Sequence, residues 1–97
     1  MQHDLKTDPK TFQDTWEGKK TFEIRLNDRG YDRGDTLILR ETKHSGAEMK
    51  KGQPLIFTGR CCGADVKHIL VGPTYGLEKG WVIMSHLPVV RWTESPR

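Results

Sequence analysis

The chain has 97 residues, of which 34% are hydrophobic and 30% charged, with a net charge of +3. That length suits one domain, residues 1–97, and excludes two, because independent cores become marginal below about 60 residues, and so few apolar residues predict a small core. No run approaches the roughly 18 apolar residues of a membrane span, and Met1-Gln2-His3-Asp4 lacks a basic region followed by an apolar stretch, so a cytoplasmic protein without membrane contact is expected.

In chain order, His3 to Thr7 fits a short first strand with Leu5 as its one clear core residue. Asp8-Pro9 then reads as N-cap and first helical position, and the four-residue spacing of Phe12 and Trp16 predicts a two-turn helix from Pro9 to Glu17 that docks through that stripe. Gly18 ends it, as a helix C-cap glycine does. Lys20 to Leu26 predicts a strand whose alternation sets Phe22, Ile24 and Leu26 on a core face and Thr21, Glu23 and Arg25 on the opposite face. Asn27-Asp28-Arg29-Gly30 supplies a turn, and Thr36 to Glu41 reads as a central strand buried on both faces over its middle.

His44 to Gln53 has no apolar periodicity and reads as an exposed loop. Beyond it, a strand from about Arg60 to Val71 is expected, bent at Gly63 and preceded by a loop or short edge strand. The nine residues from Gly72 to Gly80 make Trp81 to His86 its antiparallel neighbour, Leu87 to Trp92 extends that strand or pairs with an edge, and 93–97 is expected to fray. Five or six strands without alternating helices indicate an α+β, mainly β fold: a small mixed barrel with one short early helix.

Residues 49–97 hold seven Lys/Arg against three Asp/Glu, so the second half carries +4, a modest basic excess that suits a nucleic-acid partner. Cys61 and Cys62 are adjacent and point to opposite faces of a strand, which predicts two reduced thiols. His3, His44, His68 and His86 lack the short paired spacings of a metal cluster, so neither metal nor other cofactor is expected.

The segment Gly18-x-Lys20-x-x-Glu23-x-Arg25 resembles the GxKxxExR signature of ASCH domains in the PUA-like superfamily. The flanks extend the resemblance over residues 3–86: the Phe12 helix, the Asn27-Asp28-Arg29 turn, Gly34-Asp35 before a Leu-Ile-Leu strand, and Tyr75-Gly76-Leu77 before a Gly-Trp-Val-Ile-Met strand. It is similar to small uncharacterised ASCH-like proteins of bacteria and phages. The resemblance implies a PUA-like β-barrel, a cleft beside the signature strand, and RNA or a modified nucleoside as ligand, with Lys20, Glu23 and Arg25 in the polar positions.

The chemistry of the trio suits nucleotides: a guanidinium offers a planar fork, an ammonium a point charge, and a carboxylate an acceptor for an exocyclic amine. Tyr31 and Tyr75, in glycine-flanked loops, are the expected stacking residues, with Trp16 and Trp81 assigned to packing, and Arg29 and Arg33 are within reach of phosphates. The leading expectation is thus RNA or nucleotide binding through Lys20, Glu23, Arg25, Arg29, Tyr31 and Tyr75. Two other classes are open. A small hydrolase, either a metal-independent ribonuclease or an amidohydrolase on acylated cytidine, would use Lys20, Glu23 and Arg25. Some ASCH-like amidohydrolases use a lysine, a threonine and a glutamate, but Glu23 stands here at the threonine position and the span 72–80 leaves no room for the helix that carries the third group. A protein-interaction module would instead display the loop from His44 to Gln53.

Overall fold

The longest apolar-rich segments flank the glycine-bounded span 72–80, and their pairing organises everything else. The computed structural model describes residues 1–95, which form β1 (Gln2–Thr7), α1 (Pro9–Trp16), β2 (Phe22–Leu26), β3 (Thr36–Thr42), α2 (Gly46–Lys50), β4 (Phe57–Val71) and β5 (Trp81–Thr93). The strands make one mixed sheet in the order β1-β3-β4-β5-β2, with β1 parallel to β3 and every other neighbour antiparallel.

Two bulges bend the β4–β5 hairpin. Between the pairs Val66↔His86 and His68↔Ser85 the extra residue is Lys67 on β4, whereas between Gly63↔Val90 and Asp65↔Leu87 the additional residue lies on β5, beside Pro88. A proline has no N–H for the ladder, so a bulge is where a strand can hold one. The first part of β4 pairs with β3, and the last part lies against the half of β5 that pairs with β2. Bending between these two parts curls the sheet into a half-barrel and brings its free edges, β1 and β2, opposite each other.

The core fills the concave side with Leu5, Phe12, Tyr31, Leu37, Leu39, Cys62, Val66, Val82 and Met84. Helix α1 enters it through Phe12, which is fully buried and contributes about 2–3 kcal/mol by its removal from water. Arg60 locks the helix in place: its guanidinium lies 5.3 Å from the Phe12 ring and 4.9 Å from that of Trp16, donates to Gln13 Oε1 at 2.8 Å, and pairs with Glu41 at 2.7 Å. Gly18 sits at φ 79° and donates its N–H to the Thr15 carbonyl, the C-cap role expected of it.

The structure revises several expectations. β1 buries His3 and Thr7 as well as Leu5, because His3 Nε2 finds Asp35 at 2.8 Å. Asp8 is the N-cap, but its carboxylate caps nothing in α1 and accepts from the Gly46 N–H at 3.0 Å. The expected loop from His44 to Gln53 is exposed yet contains α2, started by a reciprocal Ser45–Glu48 capping box, so the helices number two among the described residues. Thr93 ends β5 rather than a frayed tail, and the Glu94 N–H donates to the Gly59 carbonyl at 2.7 Å; of the expected tail, residues 96–97 lie outside the described residues. Cys61 and Cys62 are buried free thiols. No described helix is long and apolar enough to cross a membrane.

Candidate functional site

Strand β2 alternates as expected, but with its faces exchanged. Glu23 is 3% exposed, while Phe22, Ile24 and Leu26 are each about half exposed. Register explains the inversion. Glu23 lies opposite Met84 and Arg25 opposite Val82, and directly paired residues project to the same side of a sheet. Met84 and Val82 are fully buried, so Glu23 and Arg25 share the concave face with them, and the apolar residues of β2 are left outside.

A carboxylate in that position needs partners, and it has two. Arg25 donates to Glu23 Oε1 from Nε at 3.0 Å and from Nη2 at 2.9 Å, while the Lys20 ammonium pairs with Oε2. Lys20 precedes the strand, so strand parity does not govern it, and its side chain turns inward to line the cleft. Both Glu23 oxygens are therefore engaged, and the trio carries one net positive charge. Arg25 Nη1 has no protein partner among the described residues, and two of the three Lys20 N–H groups are likewise unspent.

Between the free edges of the half-barrel no backbone ladder forms, and guanidinium groups bridge the gap. Arg25 Nη2 reaches the Lys6 carbonyl at 3.2 Å and Thr7 Oγ1 at 3.4 Å, and Arg29 Nη1 reaches the Asp4 carbonyl at 2.9 Å. The space around these bridges is a cleft of about 470 Å³, with Lys20, Glu23, Arg25 and Arg29 among its lining residues.

Four of the six expected ligand residues, Lys20, Glu23, Arg25 and Arg29, thus meet at one cleft. Tyr31 also lines it but is 6% exposed, packed in the core with its ring edge-on to His3 at 4.8 Å, and burial raises its phenol pKa against the opposing pull of Arg25 and Arg29. Tyr75 is 94% exposed in the β4–β5 connection and is absent from the cleft. Arg33 lines a separate depression with Asp32 and His68. Trp81, assigned to packing from the sequence, lines the cleft and is 36% exposed, so the available stacking surface is this ring. Sequence reasoning also passed over His86, which is fully buried on the face of β5 that carries Met84, the register partner of Glu23, with neither ring nitrogen hydrogen-bonded among the described residues. Its inward parity with Val82 and Met84 was the available signal. Among the described residues, no group of three or more His, Cys, Asp or Glu is placed to hold a metal ion.

The chain belongs to the family described as Domain of unknown function (DUF3850), whose model matches residues 2–86. It is also similar to the "Uncharacterized 12.9 kDa protein in GpA 3'region" of Escherichia phage P2, with 54% identity over 39 residues. That match covers 40% of this chain and 36% of the phage protein, so the chain spans little more than a third of that relative's length.

Proposed function

We propose that this DUF3850 member binds single-stranded RNA through the cleft between β1 and β2. The observation that carries the reading is the saturation of Glu23: with both oxygens engaged, the carboxylate serves to hold Lys20 and Arg25, and the cleft offers a ligand cationic N–H donors. Such donors fit phosphodiester oxygens, the guanidinium by its planar fork and the ammonium as a point charge. The Trp81 ring, 36% exposed at the rim of the cleft, adds an aromatic surface on which a base can stack. The resemblance of Gly18-x-Lys20-x-x-Glu23-x-Arg25 to the ASCH signature supports RNA as the nucleic acid. Recognition is favoured over hydrolysis because a carboxylate engaged at both oxygens by cations, one of them the twice-bonded Arg25, is poorly placed to take a proton from a nucleophile.

Fluorescence titration of an eight-nucleotide oligouridylate across a salt series tests this. Affinity should fall with salt at a slope of about −0.7 per phosphate contacted, and Arg25→Met should weaken binding and reduce that slope by nearly one contact. Trp81 emission should be quenched on binding. Failure to bind at low salt, or wild-type affinity and slope in Arg25→Met, would refute the assignment.

A further inference from the structure

His86 is the buried group that the binding geometry leaves unexplained. A neutral imidazole has one donor and one acceptor, and leaving both without partners in a core is costly. Here the ring is fully buried and both nitrogens are unpartnered among the described residues, while its backbone N–H is fixed to the Thr21 carbonyl at the entrance to β2. The charged groups acting on the ring are Glu23 on β2 and Lys20 in the turn before it; on β4 its register partner is apolar Val66. Burial drives the His86 pKa below the ordinary value and Lys20 adds to that shift, while Glu23 and, more weakly, the nearby backbone of Phe22 and of His86 itself oppose it, so the ring is neutral at pH 7.

The two cations that hold Glu23 are not equally fixed. Arg25 is anchored to the carboxylate by two N–H groups and to β1 by a third contact, whereas Lys20 has one ion pair, a looser contact with the Phe22 ring 5.2 Å away and a flexible stem that lines the cleft. An anionic oxygen in the cleft therefore competes for Lys20 first. Once Lys20 turns to that oxygen, the Glu23 oxygen it held is buried without a cation, and the imidazole on the same face, diagonal to Glu23 in the β2–β5 register, has lost the charge that opposed its protonation.

We infer that His86 is a positioning residue coupling ligand capture to proton uptake: a phosphodiester draws Lys20 from Glu23, and the imidazole takes a proton from solvent to hold the vacated carboxylate. The cleft then presents Lys20 to the ligand without leaving an unpaired buried charge. The ligand class this selects is a phosphodiester anion, whose binding strengthens as pH falls.

The inference rests on the RNA-binding reading, and the test separates the two. The probe is an eight-nucleotide oligouridylate without terminal phosphates, which takes up no proton of its own between pH 5 and 8. Calorimetry in buffers of different ionisation enthalpy should record uptake of about half a proton or more per strand at pH 6.5, with affinity rising up to about tenfold per pH unit as pH falls. His86→Gln should still bind, with uptake and pH dependence lost. In the wild-type protein, the His86 ring carbon resonance should move to the imidazolium position when the strand binds at pH 6.5, a measurement that needs no variant. Binding without proton uptake, uptake that persists in His86→Gln, or a ring that stays neutral in the complex overturns the coupling and leaves the binding reading standing. No binding at any pH overturns both.

Discussion

The exchanged faces of β2 make a stability prediction opposite to the one that strand alternation alone suggests. If Phe22, Ile24 and Leu26 faced the core, Ile24→Thr would be costly and Glu23→Leu harmless. With Ile24 about half exposed and Glu23 at 3%, the order reverses. Ile24→Thr removes half-solvated apolar surface and keeps a β-branched residue, at a cost of about 1 kcal/mol or less. Glu23→Leu leaves Lys20 and Arg25, whose side chains are 16% and 26% exposed, facing each other without their carboxylate. Removing one member of a buried ion pair costs about 3–5 kcal/mol, and the partial exposure of both cations brings the expectation here to about 2–4 kcal/mol. For a chain this size that is a fall in Tm of roughly 10 °C or more. Replacing the whole trio, Lys20→Met with Glu23→Leu and Arg25→Met, removes the desolvated charges together and should return stability to within about 2 kcal/mol of wild type, because apolar substitutes for a complete buried ionic group are often neutral and the remaining cost is the lost Arg25 bridge to β1. The triple variant should fold and fail to bind oligouridylate. Urea denaturation with constant m-values measures all three. A Glu23→Leu protein as stable as wild type, beside an Ile24→Thr protein destabilised by more than about 2 kcal/mol, would refute the inward orientation of Glu23.

Two further substitutions test ionic groups of the fold outside the cleft. Arg60→Met keeps an aliphatic stem over Phe12 and Trp16 but leaves the Glu41 carboxylate, whose side chain is 8% exposed, with only the Thr58 hydroxyl; burial pushes the Glu41 pKa up while Arg60 and Thr58 together hold it below its ordinary value. Thermal denaturation at pH 7 should show a loss of about 2–3 kcal/mol, partly restored by adding Glu41→Gln. Asp35 is held down to about 2 by His3, the Asp32 N–H and the terminal ammonium. A carboxylate with a depressed folded pKa stabilises fully above its unfolded value of 3.8 and loses that contribution as pH falls toward 2. Urea midpoints between pH 5 and pH 2 should therefore decline less steeply in Asp35→Asn than in wild type, and equal slopes would exclude this source of acid sensitivity.

Much of the fold was legible because local and tertiary preferences agree. Asp8-Pro9, the Phe12–Trp16 spacing and Gly18 bound a helix in any context, and Thr36 to Glu41 is apolar on both faces over its middle, as an interior strand must be. The errors have a common origin in edges. β2 is an edge strand, and an edge strand's apolar face does not announce which side has another layer to cover it. That was decided by Val82 and Met84 of β5, residues some 60 positions away, through a register that no segment of β2 encodes. The aromatic assignments failed for the same reason: Tyr31 is drawn into the core by His3, and Trp81 is left at the rim because its register partner Leu26 lies on the outer face. The Ser45–Glu48 capping box, by contrast, was readable from its spacing and was passed over for want of an apolar stripe in a helix with no buried residue.

Why the polar trio occupies the concave side follows from where the sheet stops. A closed barrel would pair β1 with β2 and satisfy both edges by backbone hydrogen bonds, leaving no opening between them. Here the Asp4 and Lys6 carbonyls point into the gap and are met by Arg29 and Arg25, long side chains that span a distance a ladder cannot. An inward arginine at that depth requires an anion to neutralise it, and Glu23, two residues earlier on the same face, is the nearest position that can supply one. The seam therefore creates the demand for inward charge, and the added Lys20 turns a neutral structural pair into a cationic site. On this argument Lys20 is the residue of the trio that the seam itself does not use. Lys20→Met should leave the Arg25–Glu23 pair and the seam intact, at a cost of about 1–2 kcal/mol for the Glu23 oxygen that loses its cation, while lowering oligouridylate affinity by the share of one phosphate contact. A Lys20→Met protein that binds RNA as well as wild type would reduce the trio to a device for closing the barrel.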